Sequence, residues 1–488
     1  MRTPTVLTVV AGLVAATAAA GLMPRPPELG RRQTGDADLA ATARAAAGDP
    51  EGLRGLAVAV VDGGRVRVAG LGDRAPGGPA VEPGTPFEIG SIAKPLTGML
   101  LAHQAVAGVV RPDDRLTAVL PDVTGPAGEV TLAELASHRS GLPRLPLDSP
   151  GAMLSTWWAT STAGNAYAGN DVDRIVADAR GAEPDDDRGA VSYSNFGAAL
   201  LGQALAARAG VGYPELVGRD VLRPLGMAAT VVATEPGHLP GDRAEGATAS
   251  GRSADPWLGA GYAPAGVGVW STAEDLVRLV AAMLAGTAPG ADAATPRFDA
   301  GDDSRIGYGW FTSRHHDREI VWHNGGTGGF RAYVGYDRAA DRGVVVLGNT
   351  TRDVDPIGLR LLDVRGAAAS ESTGLDGWIG AALALTLTFL GGLSLWSTAR
   401  RGKDRVTVLS DAVWAVVSLG LAHRFGDWSV VPGWLWPLGT ALAGVAVVPA
   451  VRRWRALPVV AGAPAWRRWT GAALSAAFAG LAVVVILT

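Results

Sequence analysis

The chain has 488 residues, of which 48% are apolar and only 18% charged, against a charged share of ~25% in ordinary soluble proteins. That composition excludes a disordered chain. Zero cysteine removes disulfides, thiolate nucleophiles, Fe–S clusters and thiolate zinc sites together, and a net charge of −3 lacks the basic surplus of a nucleic-acid binder.

Met1–Pro24 reads as a targeting segment. Arg2 supplies the positive start, Val6–Ala20 carries no charge, and Ala18-Ala19-Ala20 offers a small-residue cleavage site. Whether cleaved signal peptide or retained signal anchor, it sends the residues after it out of the cytoplasm. Residues 36–364 form the next unit, long enough for a sizeable core. Gly55–Asp62 and Arg65–Gly72, separated by Gly63-Gly64, predict a β-hairpin. Arg318–Trp322, Phe330–Tyr336 and Gly343–Asn349 predict a second group of strands. Between the groups the pattern is helical over Ser91–Gly108, Thr131–Ser137, Asp171–Arg180, Asn195–Ala209 and Ala273–Leu284. Strands at both sequence ends with helices between predict an α+β fold, in which one antiparallel sheet closes around a large helical insertion. Trp157-Trp158, in the Gly/Ser/Ala-rich stretch 151–170, either line a substrate cleft or anchor a loop beneath the helical layer. Residues 366–375 read as a small, polar linker.

The last 113 residues, 376–488, differ from the rest: they hold ten basic and four acidic residues, leaving 33 and 42 for residues 1–375. Four apolar stretches there have spanning length, namely Trp378–Thr398, Val406–Ala422, Val430–Val451 and Thr470–Thr488, and predict an all-α transmembrane domain of four helices. Nine of the 15 tryptophans lie in this region, several near stretch ends, as at a membrane interface. Arg400, Arg401, Lys403 and Arg405 fill the first connecting loop, and Arg452, Arg453, Arg455, Arg467 and Arg468 the third; the middle loop has Arg424 alone. By the positive-inside rule loops one and three are cytoplasmic and everything before Asp376 is outside. The expectation is a multi-pass protein of a bacterial cell membrane with an extracytoplasmic domain at 36–364. Asp411, one turn inside the second span, either pairs with Lys403 and Arg405 or marks an ion path.

Of 43 basic residues only Lys94 and Lys403 are lysine. Lys can give up its proton and Arg in practice cannot, so Lys94 draws notice in Ser91-Ile92-Ala93-Lys94. Residues i and i+3 share a helix face, which brings the amine to the Ser hydroxyl, and the positive end of the helix dipole disfavours the ammonium. A Lys with a depressed pKa can take the Ser proton and make the hydroxyl nucleophilic. By spacing alone the same four residues also describe a helix-capping Ser and a solvated Lys. A second cluster is Tyr193-Ser194-Asn195: Tyr relays a proton when a nearby cation lowers its pKa, and Asn holds a carbonyl or orients the Lys. A buried Tyr beside a helix cap fits it as well. The third, His323-Asn324-Gly325-Gly326-Thr327-Gly328-Gly329-Phe330, follows a strand. Its glycines let backbone N–H groups approach a substrate, one donor of an oxyanion hole with the Ser91 amide as the other; a Gly-rich hairpin with a surface His is the alternative.

Together, in this order, the three clusters resemble the serine β-lactamase and penicillin-binding-protein superfamily, with its S-x-x-K, S-D-N and K-T-G signatures. The Tyr-x-Asn form resembles the branch of class C β-lactamases, D-alanyl-D-alanine peptidases, D-aminopeptidases and related esterases. Thr131-Leu132-Ala133-Glu134-Leu135-Ala136-Ser137-His138-Arg139-Ser140-Gly141-Leu142-Pro143, Pro224-Leu225-Gly226-Met227, the stretch Ala265–Leu276 and Tyr308-Gly309-Trp310 follow the same pattern. The resemblance covers about residues 40–355 and leaves out the membrane region. It implies Ser91 as acylated nucleophile, Lys94 and Tyr193 sharing general-base and general-acid work, Asn195 as an orienting amide, and Gly326 as the second oxyanion donor. His323 stands where β-lactamases of this branch have Lys, and Asn324 replaces the usual Thr. Loss of that permanent cation fits peptidases and esterases better than β-lactamases. His138 is expected to be structural.

Seven scattered His without an H-x-x-x-H pair speak against a metal, and no phosphate loop is present; no cofactor is expected. The reading is a membrane-tethered serine hydrolase acting through an acyl-enzyme on a small-molecule or peptide substrate, with amide or ester bonds as targets. A β-lactamase is the nearest alternative. A β-lactam or wall-fragment sensor that stays acylated is the alternative from another class, although the cytoplasmic loops are too short for an output domain.

Overall fold

The computed structural model describes residues 3–146, 150–364, 375–402, 404–460 and 465–487. The expected linker at 366–375 lies outside the described residues except for Leu375, as does Lys403. The chain divides into two compact units, one of Glu28–Thr248 with Ser253–Ser370, the other of Met1–Pro27, Ala249–Arg252 and Glu371–Thr488.

In the first unit, strands β1 (Gln33–Gly35), β2 (Gly55–Asp62) and β3 (Arg65–Gly72) precede β4 (Phe87–Glu88), β5 (Val231–Val232) and β6 (Val269–Ser271). Then follow β7 (Phe298–Gly301), β8 (Ser304–Ile306), β9 (Phe311–His315), β10 (Arg318–Gly326), β11 (Arg331–Asp337) and β12 (Arg342–Gly348). Nine strands form one antiparallel sheet in the order β1-β3-β2-β12-β11-β10-β9-β8-β7, and β4-β6-β5 form a small second sheet. The expected closure is present: β2 pairs with β12, Val58 opposite Val346 and Ala59 opposite Val345. Both faces of this central pair are covered, which is why β2 and β12 read as unbroken apolar runs rather than as an alternation. Leu56, Val58, Val60, Val344 and Val346 face a cluster with helices Ala37–Ala47 and Asp355–Leu361. Ala57, Ala59, Val61, Val345 and Leu347 face the larger core of the helical insertion.

Two helices of that insertion are apolar nearly all round and interior. Ala93–Val106 buries eleven of its fourteen residues, Lys94 among them. Asn195–Ala209 opens on Ser194, whose hydroxyl accepts from the Gly197 amide at 2.8 Å, and closes on Gly210 in the left-handed region at φ 71. Strands β7 to β9 were not expected; their Arg, Asp, Ser and His residues lack the alternation that marks a half-buried strand. The stretch 151–170, for which no element is predicted, holds most of helix Pro150–Thr162. Its Trp157 and Trp158 are exposed, so neither anchors beneath the helical layer.

In the second unit, three helical segments, Gly380–Arg401, Arg405–Phe425 and Leu435–Ala456, are long and apolar enough to cross a membrane among the described residues. The fourth expected stretch is helical over Ala465–Leu487. The N-terminal segment is helical over Thr3–Ala20 and packs closely on Leu435–Arg453: a Cβ on Gly12 would stand 2.8 Å from Val445, and one on Gly444 2.8 Å from the Ala11 carbonyl. Asp411 accepts from the Thr398 hydroxyl at 2.5 Å.

Candidate active site

Gly90–Ile92 is a 3₁₀ turn that feeds helix Ala93–Val106. The turn puts Ser91 at a partly exposed corner and leaves Lys94 in the helix, 2% exposed. Lys94 Nζ lies 2.8 Å from Ser91 Oγ and donates to the Ala265 carbonyl at 2.9 Å. Burial holds the amine well below the ordinary lysine range, and the Arg144 charge pushes the same way. The depression was expected from the helix dipole, but its principal cause is desolvation. An uncharged amine has N–H groups for the Ala265 carbonyl and a lone pair for the Ser91 hydroxyl hydrogen.

The wall behind Ser91 is backbone on backbone. Gly90 sits at φ 50, where a Cβ would meet the Gly326 nitrogen at 2.8 Å; a Cβ on Gly325 would stand 1.9 Å from the Ile89 carbonyl and 3.2 Å from the Ser91 nitrogen. Only glycine permits this approach, and it brings the end of β10 and the amides of Ser91 and Gly326 to one place. Two amides so placed have the elements of an oxyanion hole.

Tyr193 lies over this centre, its ring centroid 4.8 Å from Lys94 Nζ and 5.6 Å from the Arg144 guanidinium. Its hydroxyl is not acidified as expected: burial pushes it up to about 12, with the Ser91 hydroxyl and the Arg144 charge pulling back. A neutral lysine cannot lower it, so this phenol keeps its proton at neutral pH. The Asn195 amide donates to the Tyr167 hydroxyl at 3.1 Å and not to Lys94, while its Oδ1 is buried with no partner among the described residues.

Period-2 alternation divides the third cluster. His323 and Gly325 face the site, whereas Asn324 is exposed on the opposite side, where its amide donates to Asp355 at 2.6 Å. Asn324 is therefore corrected: its side chain does not join the other site residues. His323 is 1% exposed, and its Nδ1 lies 2.5 Å from the Asn324 carbonyl, which fixes the hydrogen on Nδ1 and leaves Nε2 a buried acceptor without a partner among the described residues. Burial lowers its pKa to about 3. The residue at the usual lysine position is a neutral imidazole.

Two participants, Arg144 and Glu88, are not among the expected site residues, and His138, expected to be structural, packs against the site. His138, at φ 56, takes the Ser192 amide on its carbonyl at 2.7 Å and the Ser194 amide on Nδ1 at 3.3 Å, and packs its ring 4.5 Å from that of Tyr193. A buried non-glycine residue in the left-handed region marks a strained, specified position; its place in the segment Thr131–Pro143 was the available signal. Arg144 follows that segment directly. Glu88, three residues before Ser91, is buried and accepts from the Trp257 amide at 2.8 Å. Burial raises its pKa to about 7 against the pull of Thr327, Trp257 and Arg243.

The sequence matches the Beta-lactamase family over residues 36–367, and the chain belongs to that family. The chain is 27% identical over 237 residues to the D-alanyl-D-alanine-carboxypeptidase/endopeptidase AmpH of Escherichia coli K12, a match covering 46% of this chain and 56% of that protein. The chain thus spans little more than half the length of this curated relative. Among solved structures, a class C β-lactamase from Rhodobacter sphaeroides is similar at TM-score 0.57 and 24% identity, over 67% of this chain and 99% of that one. The D-alanine carboxypeptidase AmpC from Burkholderia cenocepacia is similar at TM-score 0.55 and 22% identity, with the same coverage. At these identities the two structures speak for the fold.

Proposed function

We propose that this chain is a membrane-anchored extracytoplasmic serine hydrolase that cleaves amide or ester bonds through an acyl-enzyme on Ser91. The observation that carries the reading is a buried, uncharged Lys94 amine 2.8 Å from the Ser91 hydroxyl. Ser91 Oγ attacks the carbonyl carbon as its proton passes to Lys94. The carbonyl π-pair moves onto oxygen, where the amides of Ser91 and Gly326 receive the charge. Collapse of the intermediate expels the amine or alcohol, which takes a proton from Tyr193; Lys94 restores the phenol. Water, deprotonated by the same groups, then releases the acid. The high pKa of Tyr193 suits it to giving a proton first, so Lys94 is the base of the opening step. Asn195 Oδ1, free to accept, orients the substrate amide. The basic first and third loops and the three membrane-capable helices support anchoring with the catalytic unit outside.

Peptides ending in D-amino acids, as in cell-wall stems, are the favoured substrates, with small esters beside them. The peptidases among the similar proteins support the first; neutral His323, which offers no fixed cation to a substrate carboxylate, supports the second. The test is mass spectrometry of the detergent-purified full chain after exposure to a fluorophosphonate and, separately, to a penicillin. Labelling of Ser91 by the first with slow or no labelling by the second is expected. No label from either would remove Ser91 as nucleophile, and a stable penicilloyl adduct would instead favour a sensor.

A further inference from the structure

Helix Pro150–Thr162 is left unused by this chemistry. Its sequence, PGAMLSTWWATST, holds no charged residue, and none of its residues is buried. At about 100° per residue, Met153, Leu154, Trp157 and Trp158 share one face with Ser161 between them, while Ser155, Thr156, Ala159 and Thr162 lie opposite. The apolar face is open: Leu154 is 62% exposed and Trp157 61%. The C-terminal end is fastened, since the Asp255 amide donates to the Ala163 carbonyl at 2.9 Å and the Asn165 amide to the Leu258 carbonyl at 2.8 Å. An apolar, anchored helix with nothing among the described residues over its large side chains is built for a partner.

The rest of the chain indicates which partner. Three helices able to cross a bilayer would keep a lipid surface at high effective concentration beside the domain they tether. At about 20 Å the helix is too short to span, and its tryptophans are the residue type that settles at the headgroup level. We propose that helix Pro150–Thr162 lies in the membrane interface, with Met153, Leu154, Trp157 and Trp158 inserted at the headgroup–acyl boundary. Its polar face is Ser, Thr and Ala rather than Lys or Arg, so buried apolar area drives the insertion and anionic lipid adds nothing. This surface goes beyond the hydrolase reading and stands or falls apart from it.

Because the chain has no cysteine, a single introduced one reports a single place. Trp157→Cys, Leu154→Cys and Ser155→Cys variants of the full chain, each carrying an NBD fluorophore, are reconstituted in phosphatidylcholine vesicles, with or without added phosphatidylglycerol. At positions 157 and 154 a nitroxide-bearing lipid should quench at least about threefold more than at 155, and aqueous iodide should act in the reverse order. Addition of phosphatidylglycerol should change neither. Equal iodide quenching at all three positions would place the helix in water and overturn the proposal. So would shielding of 157 and 154 from both quenchers, which means a protein cover, or insertion that requires phosphatidylglycerol. Fluorophosphonate labelling of Ser91, followed in parallel, reports on the hydrolase reading alone.

Discussion

The wall around Ser91 and helix Pro150–Thr162 depart from the ordinary rules of folding in opposite directions. In the wall, polar groups are buried without partners among the described residues: Asn195 Oδ1, His138 Nε2 and His323 Nε2. In the helix, large apolar side chains are exposed without a cover among the described residues. The first departure costs stability that the surrounding core must offset; the second leaves hydrophobic free energy uncollected. Both are informative because each is maintained by a structure that could easily have avoided it. The wall works by being unable to move, whereas the helix contributes little to the fold and stays available.

The largest effect is expected where the wall meets the chemistry. Lys94→Met keeps the shape and dryness of the pocket but removes the base, so the rate of fluorophosphonate labelling at Ser91 should fall about 10²–10⁴-fold with the melting temperature retained. Gly325→Ala comes next. Its Cβ would enter the Ile89 carbonyl at 1.9 Å, forcing β10 from the Ser91 turn and misplacing an oxyanion donor, a loss of about 10²–10³ in the same rate. In contrast to Lys94→Met, this variant should also melt earlier.

How far all this was legible in the sequence follows the same division. The hairpin of β2 and β3 was read to the residue because Gly63-Gly64 punctuates two apolar runs. The Ser91–Lys94 spacing was read because a helix fixes what i and i+3 do. Alternation along β10 was equally available and would have sent Asn324 away from the site, but the resemblance carried it in as part of a motif. Desolvation was not legible: the depressed Lys94 and the raised Tyr193 depend on what packs over them from Ala265, Arg144 and Tyr167, which are distant in sequence. Helix Pro150–Thr162 was missed because Gly, Ser, Thr and Ala dilute its apolar residues below a recognisable period.

Two buried acid–base groups of the wall should bend the pH dependence of stability in opposite senses. His323, lowered to about 3 by burial, stays neutral in the fold while the unfolded chain takes up a proton below pH ~6.5. Stability is therefore lost as pH falls from there toward 3, by roughly 3–5 kcal/mol at full extent. His323→Gln should flatten that limb in chemical unfolding, leaving the slope due to buried His138, whose pKa is also lowered. Glu88, raised to about 7, keeps its proton in the fold where the unfolded chain has released it. Its burden grows as pH rises from ~4.5 toward 7, and Glu88→Gln should stabilise the protein at pH 8 by about 1–3 kcal/mol. A destabilised Glu88→Gln variant at pH 8 would mean that the carboxylate holds the Trp257 amide more firmly than its burial costs.

The smallest effect belongs to the exposed helix, and it sharpens the contrast most. Leu154→Ser and Trp157→Ser remove large apolar groups that touch water already, so unfolding free energy in detergent should change by no more than about 0.5 kcal/mol. A truncation of comparable size within the core, Leu96→Ala in the helix that carries Lys94, should cost about 2–5 kcal/mol, since Leu96 is fully packed. Fluorophosphonate labelling in detergent should be the same for Leu154→Ser and the parent chain. If Leu154→Ser instead lowered stability as Leu96→Ala does, the helix would have a protein cover in solution, and the division between a committed wall and an uncommitted face would fail at its weaker side.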